Sequence, residues 1–263
     1  MKLLAINASL RGDHGHTAFL LNKIFEGAAA SGAVCESVTL SKHKINRCLA
    51  CDKCQAKESY LKCVQEEKDD VKAIFDKMSD ADIIIYASPI YIFAMSSLLK
   101  TLLERMYGTA DCSDLRVSKS GLMFHHINSQ VSSKPFVSLV CCDNLEDETP
   151  RNVASYFCTF SRFMDAPQVG LLIRNGGRLA GYGKDAALQQ IFPRLKDIYE
   201  AFVEAGRELA TRGHIGKPTQ RKASQEILAV PMFHVLKRIK PFKKNFVKKA
   251  RMFVKPQRQQ QLP

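Results

Sequence analysis

The feature that most restricts the fold is an alternation of apolar strands and amphipathic helices, repeated five times along the chain. Residues 81–87 form the clearest strand, because the run Ile83–Ile85 is apolar on both faces, as in parallel sheets covered by helices. Further strands are predicted at residues 2–7, 34–40, 136–142 and 169–173, and helices at about 17–32, 69–78, 94–107, 149–164 and 184–212. Pro193 predicts a kink in the last helix or its true start, and residues 108–133 read as irregular. This order predicts an α/β, doubly wound, five-stranded parallel sheet.

The charge of the chain is concentrated at one end. The 263 residues carry a formal net charge of +13, but residues 214–263 hold 13 of the 39 Lys and Arg residues and only one acid, Glu226. The rest of the chain is therefore nearly neutral. We predict a domain at residues 1–213 and a basic tail at residues 214–263 with a separate role.

Four of the nine cysteines fall within 16 residues, in the run RCLACDKCQAKESYLKC. Two residues separate Cys48 from Cys51 and Cys51 from Cys54, and eight separate Cys54 from Cys63. This compact triplet with one trailing cysteine favours a single [4Fe–4S] cluster. Zinc held by four thiolates is an alternative, since C-x-x-C pairs also serve zinc sites, and free thiols are another.

The other cysteines are scattered, which indicates a reducing compartment and not a disulfide framework. The apolar start MKLLAINA is too short for a signal peptide, and no apolar stretch approaches the ~20 residues that span a bilayer. We expect a cytoplasmic protein that is soluble or peripheral at the inner membrane surface.

Ligands in doubly wound sheets bind beyond the carboxyl ends of the strands. Three predicted loops lie there, at residues 8–17, 88–93 and 142–149. The first has Gly12 and Gly15 just before a helix, whose free N–H groups and dipole favour an anion. It has neither G-x-G-x-x-G nor a P-loop lysine, so it predicts a site for one phosphate monoester, as on FMN. An ordinary helix start with Thr17 as N-cap is the alternative.

Three segments in this order carry a resemblance: INASLRGDHGHT, CLACDKC…KC followed by DDV, and ADIIIYASPIYIFAMSSLLKTLLER. They resemble the flavodoxin-like NAD(P)H-dependent FMN reductases and, within them, the iron–sulfur flavoproteins. The likeness is close over residues 1–108 and continues to about residue 212 by element order. It implies a flavodoxin-like sheet in the order 2-1-3-4-5, with a cysteine loop at residues 47–64 inserted after the second strand.

The resemblance also implies ligands. The FMN phosphate would bind Ser9, Arg11, His16 and Thr17, whose hydroxyl, guanidinium and imidazole groups suit an anion. The four closely spaced cysteines would ligate the cluster.

The S-P-x-Y segment of the family lies against the isoalloxazine ring. It corresponds here to Ser88, Pro89, Ile90 and Tyr91, and Ile92 and Phe93 follow it against the ring. The alternative is that Ile90, Ile92 and Phe93 face the core. The third loop departs from the family, because cysteines and Asp143 stand where relatives often have glycine; Asn144 or backbone amides would bond the ring there.

Together these features predict an FMN-dependent oxidoreductase that takes electrons from NAD(P)H or a reduced partner. The electrons would pass through the [4Fe–4S] cluster, or directly, to a partner protein or a small-molecule acceptor. The alternative is a flavodoxin-like electron carrier or interaction protein without turnover, whose cysteines bind zinc or are free. We expect a homo-oligomer.

The basic tail has apolar residues at helical spacing. They are Leu228, Met232, Leu236, Ile239, Phe242, Phe246 and Phe253. Pro231 and Pro241 would break or kink such a helix. The apolar spacing together with the basic charge of the tail predicts that residues 227–255 bind an anionic membrane surface. The alternative is that the apolar stripe packs on the protein itself or on another subunit; nucleic acid is not expected, because no recognition module is present.

Overall fold

The computed structural model describes residues 1–248; the rest of the predicted tail, residues 249–263, lies outside the described part. Five parallel strands form the sheet, in the order β2-β1-β3-β4-β5. They are β1 (Lys2–Asn7), β2 (Val34–Thr39), β3 (Ile83–Tyr91), β4 (Phe136–Cys141) and β5 (Gln168–Arg174). The predicted flavodoxin-like doubly wound fold is confirmed.

Helices cover both faces of this sheet. The longer ones are α1 (His16–Ala30), α2 (Val71–Asp80), α3 (Ser97–Glu104), α4 (Arg151–Phe163), α5 (Arg194–Arg212) and α6 (Lys217–Ala223). Short α-helical segments lie at Ser129–Ser132, Ala187–Ile191 and Phe233–Leu236, and 3₁₀ turns at Gly12–His14, Leu40–Lys42, Lys53–Gln55, Lys57–Ser59, Arg105–Thr109 and Gly181–Gly183. The long helix predicted from residue 184 thus begins at Arg194, directly after Pro193.

Two hydrophobic cores follow from the alternation of side chains along each strand. In β1, Leu3 and Ala5 face α1 and α5, whereas Leu4 and Ile6 face α2, α3 and α4. The α1–α5 contact is very close, because a Cβ on Gly206 would lie 1.8 Å from the Ile24 carbonyl oxygen. The run of isoleucines in β3 divides between the two cores in the same way, as a strand buried on both faces requires.

The segment predicted as irregular after α3 contains regular structure. Asp111–Val117 and Met123–His126 pair as an antiparallel hairpin outside the main sheet. Leu115, Val117 and Met123 are 79%, 66% and 85% exposed. Because this hairpin does not bury one face in the core, its sequence lacks the alternation that marks a half-buried strand.

The free edge of β5 is covered by α6 and the residues around it. The Leu171 amide donates to the Gln220 side chain (3.0 Å), and the Ile173 amide donates to the Ser224 hydroxyl (3.1 Å). The Ile215 amide donates to the Val169 carbonyl (2.8 Å). Two side chains and one backbone amide of the tail thus bond backbone groups of an edge that would otherwise leave them unpaired.

Beyond α6 the predicted tail helix is interrupted. After Phe233–Leu236 the chain turns, and residues 240–248 are helical again. Pro231 precedes the first of these segments and Pro241 lies in the first turn of the second, where proline is tolerated. Among residues 1–248, no helix is long and apolar enough to cross a bilayer. The division of the chain at residue 213 stays a prediction.

Candidate functional site

The first loop is shaped by the last residue of β1. The Asn7 side chain donates to the Gly12 carbonyl (3.3 Å) and accepts from the Ser9 amide (3.1 Å). Gly12 has a φ of +55°, a conformation that favours glycine. A Cβ on Gly15 would lie 2.6 Å from the Ser9 hydroxyl oxygen, so the backbone can pass there only without a side chain. The loop is therefore fixed by contacts within this chain.

The loop ends at a helix start whose donors are unsatisfied. The N-cap of α1 is Gly15, which offers no side-chain cap, and Thr17 is already the second helical residue, not the cap. The amides of His16, Thr17 and Ala18 have no acceptor among the described residues. The buried His16 Nε2 also has no partner there. Free amides at a positive helix end, with an orphaned imidazole nitrogen, are what a bound anion satisfies.

The predicted phosphate ligands differ in burial and charge. Ser9, His16 and Thr17 are buried, whereas Arg11 is exposed. Burial, with a smaller contribution from Arg174, lowers the pKa of His16 to about 3. The imidazole is therefore neutral at pH 7 and can offer a hydrogen bond but no charge. Positive charge at this mouth would come from the helix end and from Arg11.

A loop that the sequence analysis missed packs against the first one. It spans residues 175–183 after β5, and a Cβ on Gly177 would lie 2.9 Å from His16 Nδ1. Tyr182 has a φ of +55°, stacks under the Arg11 guanidinium (4.6 Å to the ring centroid) and donates to Asp143 (3.0 Å). The available signal was the glycine-rich run NGGRLAGYG, since clustered glycines allow such close approach of backbone.

The second loop ends in a strained two-residue turn. Tyr91 and Ile90 of β3 pair with the short strand Ala94–Met95, and Ile92 and Phe93 between them have φ values of +46° and +63°. Positive φ is unfavourable for a β-branched residue. The turn presents Ile92 (90% exposed) and Phe93 (62% exposed) to solvent. Backbone strain of this kind is typical of functional sites, and the exposed apolar tip suits a flat ring.

The base of this turn is well anchored. The Ser88 hydroxyl accepts from the Ser96 amide (2.9 Å) and donates to the Pro89 carbonyl (2.9 Å). Pro89 and Ile90 are half-buried, and Ile90 packs on the core, as the alternative for that residue predicts. The Tyr91 hydroxyl accepts weakly from the Leu10 amide at 3.4 Å and so reaches the first loop. The first and second loops therefore meet at one edge of the sheet.

Asn144 lies on the exposed third loop at the same edge. Its side-chain oxygen accepts from the Glu146 amide (3.1 Å), and its carbonyl accepts from the Gly176 amide (3.1 Å). The side-chain oxygen therefore already accepts a hydrogen bond within a turn. The side-chain NH₂ group of Asn144 remains available to donate to a ligand. The role predicted for Asn144 stays a prediction.

The four cysteines of the cysteine loop line one cavity. Its other walls include Asp52, Gln65, Arg105, Tyr107 and Gly108. Cys54 is buried, Cys48 and Cys63 are half-buried, and Cys51 is exposed. Burial raises the pKa of the Cys54 thiol, and the nearby Cys63 and Cys48 add to that effect. Thiolates are the donors that iron–sulfur clusters and structural zinc sites use, so the chemistry of these four side chains suits either metal.

A buried ion pair holds the start of the cysteine loop. Arg105 pairs with Asp69, and their side chains are 2% and 0% exposed. Arg105 also donates to the Asn46 carbonyl (2.9 Å), and Asp69 accepts from the Asn46 amide (3.0 Å). The loop itself is strained, with φ values of +49°, +50° and +57° at Ala50, Asp52 and Leu61.

Within residues 1–248, no three His, Cys, Asp or Glu side chains are close enough to hold a metal ion. The four thiols therefore share a cavity without converging on one point. Cluster ligation by these cysteines stays a prediction.

The fold and the anion-ready first loop define a flavodoxin-like protein. Residues 1–129 match the family model described as NADPH-dependent FMN reductase. This match confirms the resemblance drawn from the motifs of the chain.

Curated relatives agree. The chain is 35% identical over 105 residues to an iron-sulfur flavoprotein of Archaeoglobus fulgidus, covering 40% of this chain and 48% of that protein. It is 34% identical over 105 residues to an iron-sulfur flavoprotein of Methanocaldococcus jannaschii, covering 40% and 51%. The match thus spans about half the length of these relatives.

Solved structures support the fold. An FMN-dependent NADH-azoreductase from Bacillus anthracis, in complex with FMN, aligns with a TM-score of 0.56 at 15% identity, over 80% of this chain and 100% of that one. Smu.1420 from Streptococcus mutans aligns with a TM-score of 0.56 at 14% identity, over 79% and 100%. At this identity the likeness concerns architecture alone.

Proposed function

We propose that this protein is an FMN-dependent oxidoreductase that takes electrons from NAD(P)H or a reduced partner and passes them on through a [4Fe–4S] cluster. The family match and the iron–sulfur flavoprotein relatives support the flavin chemistry. The observation that carries the proposal is the start of α1. Three free amides and the unpartnered His16 Nε2 meet there beside two buried hydroxyl groups.

The FMN phosphate would bind to these donors. Ser9 and Thr17 would donate from buried positions, and the amides of the first helical turn would add the dipole. Arg11 lies on the Tyr182 ring, which restricts its guanidinium to the mouth of the site. The neutral His16 would act as a hydrogen-bond donor, and a bound phosphate would give its unpartnered nitrogen a role.

The isoalloxazine ring would lie against the apolar tip. Pro89 and Tyr91 form its stiff base, and Ile92 and Phe93 offer apolar surface at its end. No acid–base side chain is required, because bound FMN itself accepts two electrons and can release them one at a time. The apolar tip would position the ring and exclude water from the face of the ring that it contacts.

The cluster would be held by Cys48, Cys51, Cys54 and Cys63. Their common cavity and the reach of two-residue spacings support this ligand set. The buried Arg105 on the wall of the cavity would favour the negative charge of a thiolate-ligated cluster.

Anaerobic purification with flavin and iron analysis tests this proposal. We expect about one FMN and about four iron atoms per chain, with a brown colour. A colourless protein that contains neither flavin nor iron would refute it, and zinc in place of iron would refute the electron path alone. Thr17→Val, which removes the buried hydroxyl with little change of shape, should weaken FMN binding by roughly tenfold; Thr211→Val, on an exposed face of α5, is the matched control.

A second measurement separates an enzyme from a carrier. An NAD(P)H-dependent reductase should oxidise NADH or NADPH in the presence of an artificial acceptor. If the purified protein carries FMN and iron but oxidises neither nucleotide, the carrier without turnover is the better description.

A further inference from the structure

The described part of the tail packs against the third loop, residues 142–149. Lys237 is buried, and its ammonium group donates to Asp147 (2.7 Å) and pairs with Glu226. Burial lowers the pKa of Lys237, but these hydrogen bonds outweigh it, and the pKa is raised overall. Lys243 pairs with Glu146 at 2.7 Å. The acids of the third loop thus fix the tail in place.

Part of the predicted apolar stripe is used for this packing. Phe233 is 3% exposed, and its ring lies 6.2 Å from that of Phe242 and 5.6 Å from that of Phe246. The packing alternative therefore holds for Phe242 and Phe246 of the predicted stripe, whose rings pack on Phe233. The three rings pack against one another, and Phe242 and Phe246 are half-buried.

A different set of side chains remains on the outside, and we call it the tail face. Its apolar members are Met232, Val235, Ile239 and Val247, which are 64%, 38%, 47% and 47% exposed. Its bases are the exposed Arg238, Lys240, Lys244 and Lys248. No carboxylate among the described residues pairs with any of these four bases. The tail face is thus a basic surface with exposed aliphatic groups between the charges.

We propose that the tail face docks on the surface of a bilayer that contains anionic lipids. Bases attract the headgroups, and aliphatic side chains between them can enter the boundary of the acyl region. The sequence beyond residue 248 adds four more bases and no acid, so the charge complementarity extends along the chain.

Other occupants fit the tail face less well. Single-stranded nucleic acid would need outward aromatic rings for base stacking, but among the described residues of the tail Phe233, Phe242 and Phe246 pack on one another. Two copies of the tail face would repel each other through their bases. The nearby acids already pair with Lys237 and Lys243, so they are not left to pair with the bases of a second copy. An anionic lipid surface satisfies both the charges and the aliphatic groups.

Sedimentation of the full-length protein with vesicles tests the proposal. At about 0.1 M salt, wild-type protein should bind vesicles of phosphatidylcholine with 30% phosphatidylglycerol and stay in the supernatant with pure phosphatidylcholine. Replacing Arg238, Lys240, Lys244 and Lys248 by Gln should weaken the binding by on the order of a hundredfold. Replacing Ile239 and Val247 by Ser should also weaken it, because electrostatic attraction alone would not need them.

A matched variant removes the same amount of charge elsewhere. Lys72, Lys119, Arg162 and Lys196 are exposed bases outside the tail, and replacing these four by Gln should change vesicle binding less than threefold. Lys244→Glu with Lys248→Glu keeps the test decisive if the fourfold variant does not fold, as judged by circular dichroism. Equal loss in the tail and control variants, equal binding to neutral vesicles, or tighter binding to single-stranded DNA or polyglutamate than to anionic vesicles would overturn the proposal.

Discussion

The first loop and the cysteine loop are both ligand-site candidates, but they are held in different ways. The first loop is short, follows a buried strand and is fixed by the Asn7 side chain and by glycines that fit closely. The cysteine loop is an insertion of 18 residues, from 47 to 64, and it has three non-glycine residues at positive φ. One site is built by the fold; the other is tied to the fold at its base by Arg105 and Asp69.

The two loops should therefore depend on their ligands in different ways. A loop that is fixed by its own chain is largely pre-formed, so ligand binding there costs little conformational entropy. A strained loop with four neighbouring thiols gains its final shape from the metal, because ligation free energy is then also folding free energy. We therefore expect flavin binding to tolerate loss of the cluster, and the cysteine loop to loosen without it.

The largest effect should come from removing one thiol. Cys54→Ser should abolish the [4Fe–4S] cluster, with iron falling from about four atoms per chain to near zero, while FMN content stays close to one. Cys158→Ser, an exposed cysteine outside the cavity, is the control and should keep its iron. If Cys54→Ser also lost its FMN, the two sites would not be independent.

Next in size is the buried anchor of the cysteine loop. Arg105→Met should lower the free energy of unfolding by about 3–5 kcal/mol, because it leaves the carboxylate of Asp69 buried without its cation. Urea unfolding measures this. Lys72→Met breaks the exposed pair with Asp76 and should cost less than about 1 kcal/mol. Similar values for the two variants would show that the anchor is not what holds the loop.

The pH dependence of the first loop should be smaller but distinct. Burial and Arg174 lower the pKa of His16 to about 3, so the unfolded state takes up a proton that the folded state does not as the pH falls below about 6.5. Flavin-free protein should therefore lose roughly 3 kcal/mol of stability through His16 between pH 6.5 and pH 4. His16→Gln should flatten this slope, whereas replacing the exposed His14 by Gln should not. Parallel curves for wild type and His16→Gln would contradict the neutral buried imidazole.

The smallest effect should come from filling the first loop. Gly15→Ala would place a Cβ 2.6 Å from the Ser9 hydroxyl oxygen and displace that hydroxyl, so FMN should bind roughly tenfold more weakly, or about 1.4 kcal/mol. In Gly32→Ala the Cβ meets nothing within 4 Å, although its φ of +82° is strained. That control should lose stability without losing FMN affinity. Unchanged affinity in Gly15→Ala would mean that the loop adapts.

The sheet could be predicted from the sequence because its signals are local. Buried strands such as residues 83–87 can be recognised by their apolar runs. The helices that alternate with them leave few possible arrangements for five parallel strands. The hairpin after α3 could not be predicted in this way. Its side chains at Leu115 and Val117 are exposed. Burial therefore imposes no alternation of apolar and polar residues on the sequence of this hairpin.

The candidate site was only partly predictable. The first two loops were found through their glycines, hydroxyl groups and the Ser-Pro-x-Tyr segment. The contribution of residues 175–183 depends on packing between distant parts of the chain, namely Tyr182 on Arg11 and Gly177 on His16. No pattern within either segment reveals that they touch. The same holds for the tail, whose apolar spacing did not show which residues would turn inward.

The cover over β5 has a consequence for how this protein meets copies of itself. Gln220 and Ser224 occupy amides of Leu171 and Ile173 that could otherwise receive a strand from another molecule. A protease cut shortly before residue 217 would release that cover and bare the edge. The basic segment would then be lost together with a safeguard against fibril-like pairing, so a shortened protein should be prone to aggregate even though its sheet is unchanged.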